Sequence, residues 1–228
     1  IIGELRPWGW SPGIARELSP LGGSWEGRSR GIHGKSWSSR LLRRWMEEVR
    51  EPWLDRPEEA GRPCMSLEEV REELRRLAGL GHGQAMVKAE WGTAGRGNAR
   101  VRGSLLPEQE RWLEKLLAAQ GLVVVEPLLD KAADYSVQLW IGPGGKPRKD
   151  GHHLFFTDAR GQYLGHQLGS FAHRLPKGVA RFLHGDGHEP GRWRKLLDES
   201  VRRVGTALAR EGYRGPAGID GMIHWRDG

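Results

Sequence analysis

Met86-Val87-Lys88-Ala89-Glu90-Trp91-Gly92-Thr93-Ala94-Gly95-Arg96-Gly97-Asn98-Ala99-Arg100-Val101 carries a lysine on an apolar strand straight into a glycine-rich turn. A strand holds the lysine in place, while Gly92, Gly95 and Gly97 permit positive φ and leave backbone N–H groups uncovered, so the turn can close on a phosphate. The order of the parts discriminates among phosphate loops. A P-loop places its lysine directly after the last glycine, where this chain has Asn98. A dinucleotide fingerprint needs a third glycine three positions after Gly95-Arg96-Gly97, where Arg100 stands. A protein-kinase lobe has its glycine loop before the strand lysine, and here Lys88 comes first. What remains is lysine, loop and return strand, with a plain β-hairpin carrying a flexible glycine tip as the alternative reading of this stretch taken alone.

Outward from that stretch the pattern alternates. Ser36 is expected to cap a helix with Leu41, Leu42, Trp45, Met46 and Val49 at helical spacing, stopped by Pro52. Ser66 with Glu69 three residues on forms a capping box ahead of Leu67, Val70, Leu74 and Leu77, ending at Gly79. Pro107 opens a helix through Trp112, Leu113, Leu116 and Leu117 that Gly121 closes, and Leu122 to Val125 follows as a buried strand. Asp134 to Trp140 alternates like a half-buried strand, and His153–Thr157 with Gln162–Leu168 forms a hairpin. A helix is expected from Arg192 to Arg210 with Gly212 after it, then a strand from Ile219 to Trp225 that holds Asp220. Residues 1–34, rich in Gly, Pro, Ser and Trp, have no sustained period and read as extended chain and turns.

Composition sets outer limits. With 228 residues the chain can bury one large core or two lobes. Its best apolar run, Leu122 to Leu129, is broken by Glu126 and Pro127, so a membrane-spanning helix is not expected. One cysteine, Cys64, rules out an internal disulfide and a cysteine-rich zinc site, and the cytoplasm is the expected compartment. The net charge of +7 attracts anions, yet the arginines interleave with glutamates on helices and read as solvated faces rather than a groove. The 11 tryptophans are expected to pack in cores more than to stack on bases.

In this order of landmarks the chain, from about Lys35 to Trp225, resembles the ATP-grasp superfamily. The landmarks are a helix, Lys88 before Gly92-Thr93-Ala94-Gly95-Arg96-Gly97, a strand ending in Glu126-Pro127-Leu128-Leu129, the acid Asp134, and Gly215-Pro216-Ala217-Gly218-Ile219-Asp220 after the long helix. The resemblance implies an α+β fold whose two lobes close on ATP, with the small lobe at 35–128, the large lobe at 129–228 and residues 1–34 as the remnant of a preceding domain. It implies that Lys88 contacts nucleotide phosphates and that the backbone of Thr93, Ala94, Gly95, Arg96 and Gly97 covers the β- and γ-phosphates. Glu126, Pro127, Leu128 and Leu129 become the inter-lobe hinge that reads adenine. Asp134, where the family more usually has glutamate, holds the ribose, and Asp220 holds Mg²⁺.

The implied chemistry is an ATP-dependent ligation of a carboxylate to an amine or thiol through an acyl phosphate, with ATP, Mg²⁺, a carboxylate substrate and an amine acceptor as partners. The family's Glu-x-Asn strand does not occur in these residues, so the expectation is an incomplete large lobe that binds nucleotide weakly and turns over poorly. No serine, cysteine or histidine constellation for covalent catalysis stands out, and His152-His153 with His184 and His188 reads as polar loop rather than metal site. Competing readings are a basic nucleic-acid-binding module, for which no motif is present, and an ATP-grasp kinase or inactive nucleotide-binding scaffold. Nucleic acid is not an expected partner, and the oligomeric state is not readable.

Overall fold

The computed structural model describes residues 12–22, 30–49, 51–92, 97–158, 161–167, 175–185 and 189–226. Two four-stranded antiparallel sheets organise them. The first has the order β1 (Arg62–Cys64), β4 (Val123–Pro127), β2 (Gln84–Ala89), β3 (Asn98–Arg102). The second has the order β7 (Tyr163–Gln167), β6 (Pro147–Thr157), β5 (Asp130–Ile141), β8 (Gly215–Trp225). The helices are α1 (Pro12–Leu18), α2 (Lys35–Glu48), α3 (Leu67–Gly79), α4 (Pro107–Gln120), α5 (Lys177–Leu183) and α6 (Arg192–Arg210).

In the first sheet, the period of two along β2 and β4 sends Ala85, Val87, Val123 and Val125 to one face, where they pack with Val70, Leu74 and Leu77 of α3 and Leu113 of α4. The opposite face carries Met86, Lys88, Val124 and Glu126, placed in register by the pairs Met86↔Glu126 and Lys88↔Val124. Helix α2 covers part of this second face, lying against β1 and β4. The valine run 123–125 is wholly buried because β4 is an interior strand with a layer on each side.

The second sheet repeats the scheme. Val137, Leu139 and Ile141 of β5 pack on Trp193, Leu197, Val201 and Leu208 of α6, whose bounds match the expectation residue for residue. The other face of β5 shows Asp134, Ser136 and Gln138, with Ser136 opposite Asp220 of β8. Some tryptophans pack as expected, whereas Trp91 and Trp225 are exposed. Trp53 meets Phe182 edge-on at 5.3 Å between centroids, and Trp193 meets Tyr135 at 4.8 Å. Trp8, Trp10 and Trp25 lie outside the described residues.

Several local readings change. Pro12–Leu18 is helical where turns were expected. The capping box at Ser66 is split: Ser66 Oγ accepts from Glu69 N–H at 3.1 Å, but the Glu69 carboxylate accepts from Met65 N–H at 2.7 Å. Strand β8 starts at Gly215 rather than Ile219, because β5 supplies partners for the whole run from Gly215↔Ile141 to Trp225↔Asp130. The far end of β8 is tied to the segment after α2. His224 Nε2 lies 2.8 Å from Asp55 Oδ1 and the Arg226 guanidinium lies 2.6 Å from the same oxygen.

Gly205 sets how closely α6 approaches its sheet. A methyl there would overlap the Pro147 ring and come within 3.1 Å of Leu139 Cδ1. Gly205→Ala is expected to lower stability by about 1–3 kcal/mol through overpacking, although alanine favours the helix, and thermal or urea unfolding measures it. Unchanged or raised stability would show that α6 does not sit this close.

Candidate nucleotide site

The β2–β4 pairing puts Lys88 and Glu126 one diagonal step apart on the open face, and the Lys88 ammonium pairs with Glu126 Oε1. Both side chains are about a third exposed, so this pair holds the lysine in position more than it stabilises the fold. A second cation joins it. Lys35, in the first turn of α2, donates from Nζ to the carbonyl of Gly92 at the base of the glycine turn. Burial and then the neighbouring Lys88 charge lower the Lys35 pKa from its ordinary value. Two ammonium groups thus face one cleft at close quarters, an arrangement that an anion would relieve.

Glu90 organises this corner. It is 4% exposed, and its carboxylate accepts from the backbone N–H of Ser36 at 2.9 Å and from Ser36 Oγ at 2.8 Å, while its carbonyl accepts from Lys35 N–H at 3.2 Å. Ser36 is therefore not the N-cap of α2. The N-cap is Gly34, with no side-chain cap, and the cap's usual work is done by a carboxylate 54 residues away. Only glycine fits at 34, since a side chain there would overlap the Glu90 carboxylate.

Within the glycine turn, Thr93, Ala94, Gly95 and Arg96 lie outside the described residues. The stem is described: Ala89 N–H donates to Gly97 O at 2.9 Å, and Gly97 has φ of 75° with no room for a Cβ, which would stand 2.8 Å from the Ala89 methyl.

Pro127 ends β4, and Leu128 and Leu129 are the whole link to β5 in the other sheet, with Leu128 N–H donating to Gln84 O at 3.0 Å. Asp220, exposed on β8, lines the same cleft as Lys35, Lys88 and Glu126. The cleft encloses about 880 Å³, within the range of small-molecule sites. Asp134 is placed elsewhere. It is 8% exposed, pairs with Lys131, accepts from Thr157 Oγ1 at 3.3 Å, and lines a separate cavity of about 140 Å³ with Phe155 and Pro176.

Lys35 and Glu90 escaped the sequence reading. The available signal was Gly34-Lys35-Ser36 at a helix start, a second lysine beside glycine, but its partner is far away in the chain. Among the described residues no three His, Cys, Asp or Glu side chains gather as a metal cluster, and no helix is long and apolar enough to cross a membrane.

Glu90→Gln keeps the size of the side chain but trades a charge-assisted acceptor for an amide at the buried α2 terminus. A stability loss of about 1–3 kcal/mol is expected, because the Ser36 N–H and hydroxyl lose their carboxylate acceptor. Denaturant titration of the variant measures it, and wild-type stability would remove Glu90 from this role.

No protein-family model and no curated protein matches the chain. Solved structures do match. D-alanyl-alanine synthetase A from Vibrio cholerae aligns over 92% of this chain and 58% of its own, with 13% identity and a TM-score of 0.56. The biotin carboxylase domain of 2-oxoglutarate carboxylase from Hydrogenobacter thermophilus, solved with MgADP, ADP and bicarbonate, aligns over 92% of this chain and 42% of its own, at 16% identity and a TM-score of 0.56. Pyruvate carboxylase from Rhizobium etli aligns over 94% of this chain and 17% of its own, at 18% identity and a TM-score of 0.59. The chain thus spans less than two thirds of each of these proteins. At such identities the likeness speaks to fold alone: with its two antiparallel sheets, the chain shares the fold of these three structures.

Proposed function

We propose that the chain is the nucleotide-binding part of an ATP-dependent ligase that joins a carboxylate to an amine or thiol. The observation that carries this is the gathering of Lys35 and Lys88 at the base of the glycine turn, in one cleft with Asp220, inside an ATP-grasp fold. Two ammonium groups, one borne on a strand and one on a helix, supply the charge.

In this reading the phosphates of ATP take over Lys88 from Glu126 and sit beside Lys35. Main-chain groups of Leu128 and Leu129, the short link between the sheets, would read adenine, and the backbone of Thr93 to Gly97 would cover the β- and γ-phosphates. For Asp134 to hold the ribose, its pairing with Lys131 would have to open. Asp220 fits Mg²⁺, a cation that commonly uses one or two carboxylates together with phosphate oxygens and water. When bound there, Mg²⁺ would neutralise charge on the transferring phosphoryl group.

The chemistry then runs in two steps. A substrate carboxylate oxygen attacks the γ-phosphorus, and the bond to the β–γ bridging oxygen breaks with its electron pair passing to ADP. The amine or thiol attacks the acyl carbon, the C–O bond to phosphate breaks, inorganic phosphate leaves, and the nucleophile gives up its proton. The protein's part is to hold the reactants in line and offset charge, with no side-chain nucleophile.

Lys88→Met is expected to weaken ADP binding by about tenfold to a hundredfold, the equivalent of roughly 1.5–3 kcal/mol for a hydrogen bond to a charged group. Isothermal titration reads it, and unchanged affinity would overturn the assignment.

A pH effect comes from Lys35. Its lowered pKa means that, between that value and the ordinary 10.5, the folded free protein holds fewer protons than the unfolded chain, so stability rises with pH across this window. A bound phosphate favours the ammonium and raises the pKa again. ADP binding is therefore expected to take up protons and to weaken as pH rises through the window, measurable by titration in buffers of different ionisation enthalpy. Lys35→Arg, which stays charged, should flatten the profile, and an equally steep profile in that variant would exclude Lys35 as the source.

A further inference from the structure

The cleft extends past Lys88 into a groove between α2 and α6, and the charge there is one-sided. Arg202, Thr206 and Arg210 recur every four residues and form one stripe on α6, while Arg44 stands on the α2 wall. The sequence reading treated these arginines as a solvated face, but folding brings them to the cleft. Of the three acids in the lining, Glu48 is engaged by Arg203 and Glu126 by Lys88, while Asp220 stands on β8 rather than on either helix wall. Among the described residues neither Arg202 nor Arg210 has a carboxylate partner.

Two donors in the same walls also lack acceptors. The indole N–H of Trp45 and the Nε–H of Arg203 are buried with no hydrogen-bond partner among the described residues. Guanidinium groups prefer carboxylate and phosphate oxygens. Arg202 and Arg210 are eight residues apart, about 12 Å along a helix, so one small anion does not span both.

We propose that the α2–α6 groove is the binding site for the second reactant, and that this reactant is an extended polycarboxylate such as an acidic peptide. Its distal carboxylates lie along Arg202, Arg210 and Arg44, and a terminal one points toward Lys88 and the nucleotide. The orientation toward the nucleotide rests on the ligase reading above, whereas the anion groove stands on its own residues.

The probe is tri-glutamate, with tri-glutamine as its neutral counterpart, titrated calorimetrically into the full chain with and without ADP. Tri-glutamate is expected to bind, tri-glutamine to bind at least tenfold more weakly, and both ADP and tri-glutamate to bind together. R202Q/R210Q should lose at least tenfold in tri-glutamate affinity with ADP affinity kept within about twofold. R71Q/R75Q, which removes the same charge from α3 on the surface, should leave tri-glutamate binding within about twofold of wild type. Equal binding of the two peptides, equal losses in the two double variants, or displacement of tri-glutamate by ADP would each overturn the groove as a separate site. Absence of ADP binding by a chain that still takes tri-glutamate would overturn the nucleotide reading and leave the groove standing.

Discussion

Glu90 is a carboxylate sealed from water at the point where the first sheet meets α2, and the cleft depends on it. Its two oxygens accept the N–H and hydroxyl of Ser36, so the exposed donors at the start of α2 are satisfied by a residue at the end of β2. That bond fixes Lys35 beside Lys88 and lets the Lys35 ammonium hold the Gly92 carbonyl. A buried charge is tolerated only with such hydrogen bonds, so the helix, the strand end and the glycine turn are positioned together or not at all.

From this corner the rest of the architecture follows as two half-buried sheets. Each turns an apolar face to helices, α3 and α4 for the first and α6 for the second. Each has polar residues on its other face, and the two-residue link at Leu128 and Leu129 brings these surfaces near one another. Charges that would be costly inside a single core are thereby gathered in a cleft where solvent or an anion can reach them. The His224–Asp55–Arg226 contact closes the far end, and the aromatic group of Trp53, Phe182 and Trp193 packs the segment after α2 against α5 and α6.

Local patterns determined much of this chain. The bounds of α6, the apolar faces of α3 and α4, the Gly121 helix stop, the all-buried valine strand and the order of lysine, glycine turn and return strand are properties of neighbouring residues. These are set by helical or strand periodicity, by proline and glycine stereochemistry, and by burial, all of which act within a few residues. The fold resemblance rests on the same order of parts. Tertiary structure alone decided what depends on partners far apart in sequence. Ser36 looked like a helix cap, but its bonding partner is Glu90. Gly215-Pro216-Ala217-Gly218 has the composition of a turn and becomes strand because β5 offers a continuous edge. Asp134 has the right residue type for a ribose ligand yet turns to Lys131 and a second cavity. The arginines of α2 and α6 read as solvated surface until the fold sets the two helices around one groove, because the field of a charge depends on distance in space and not along the chain.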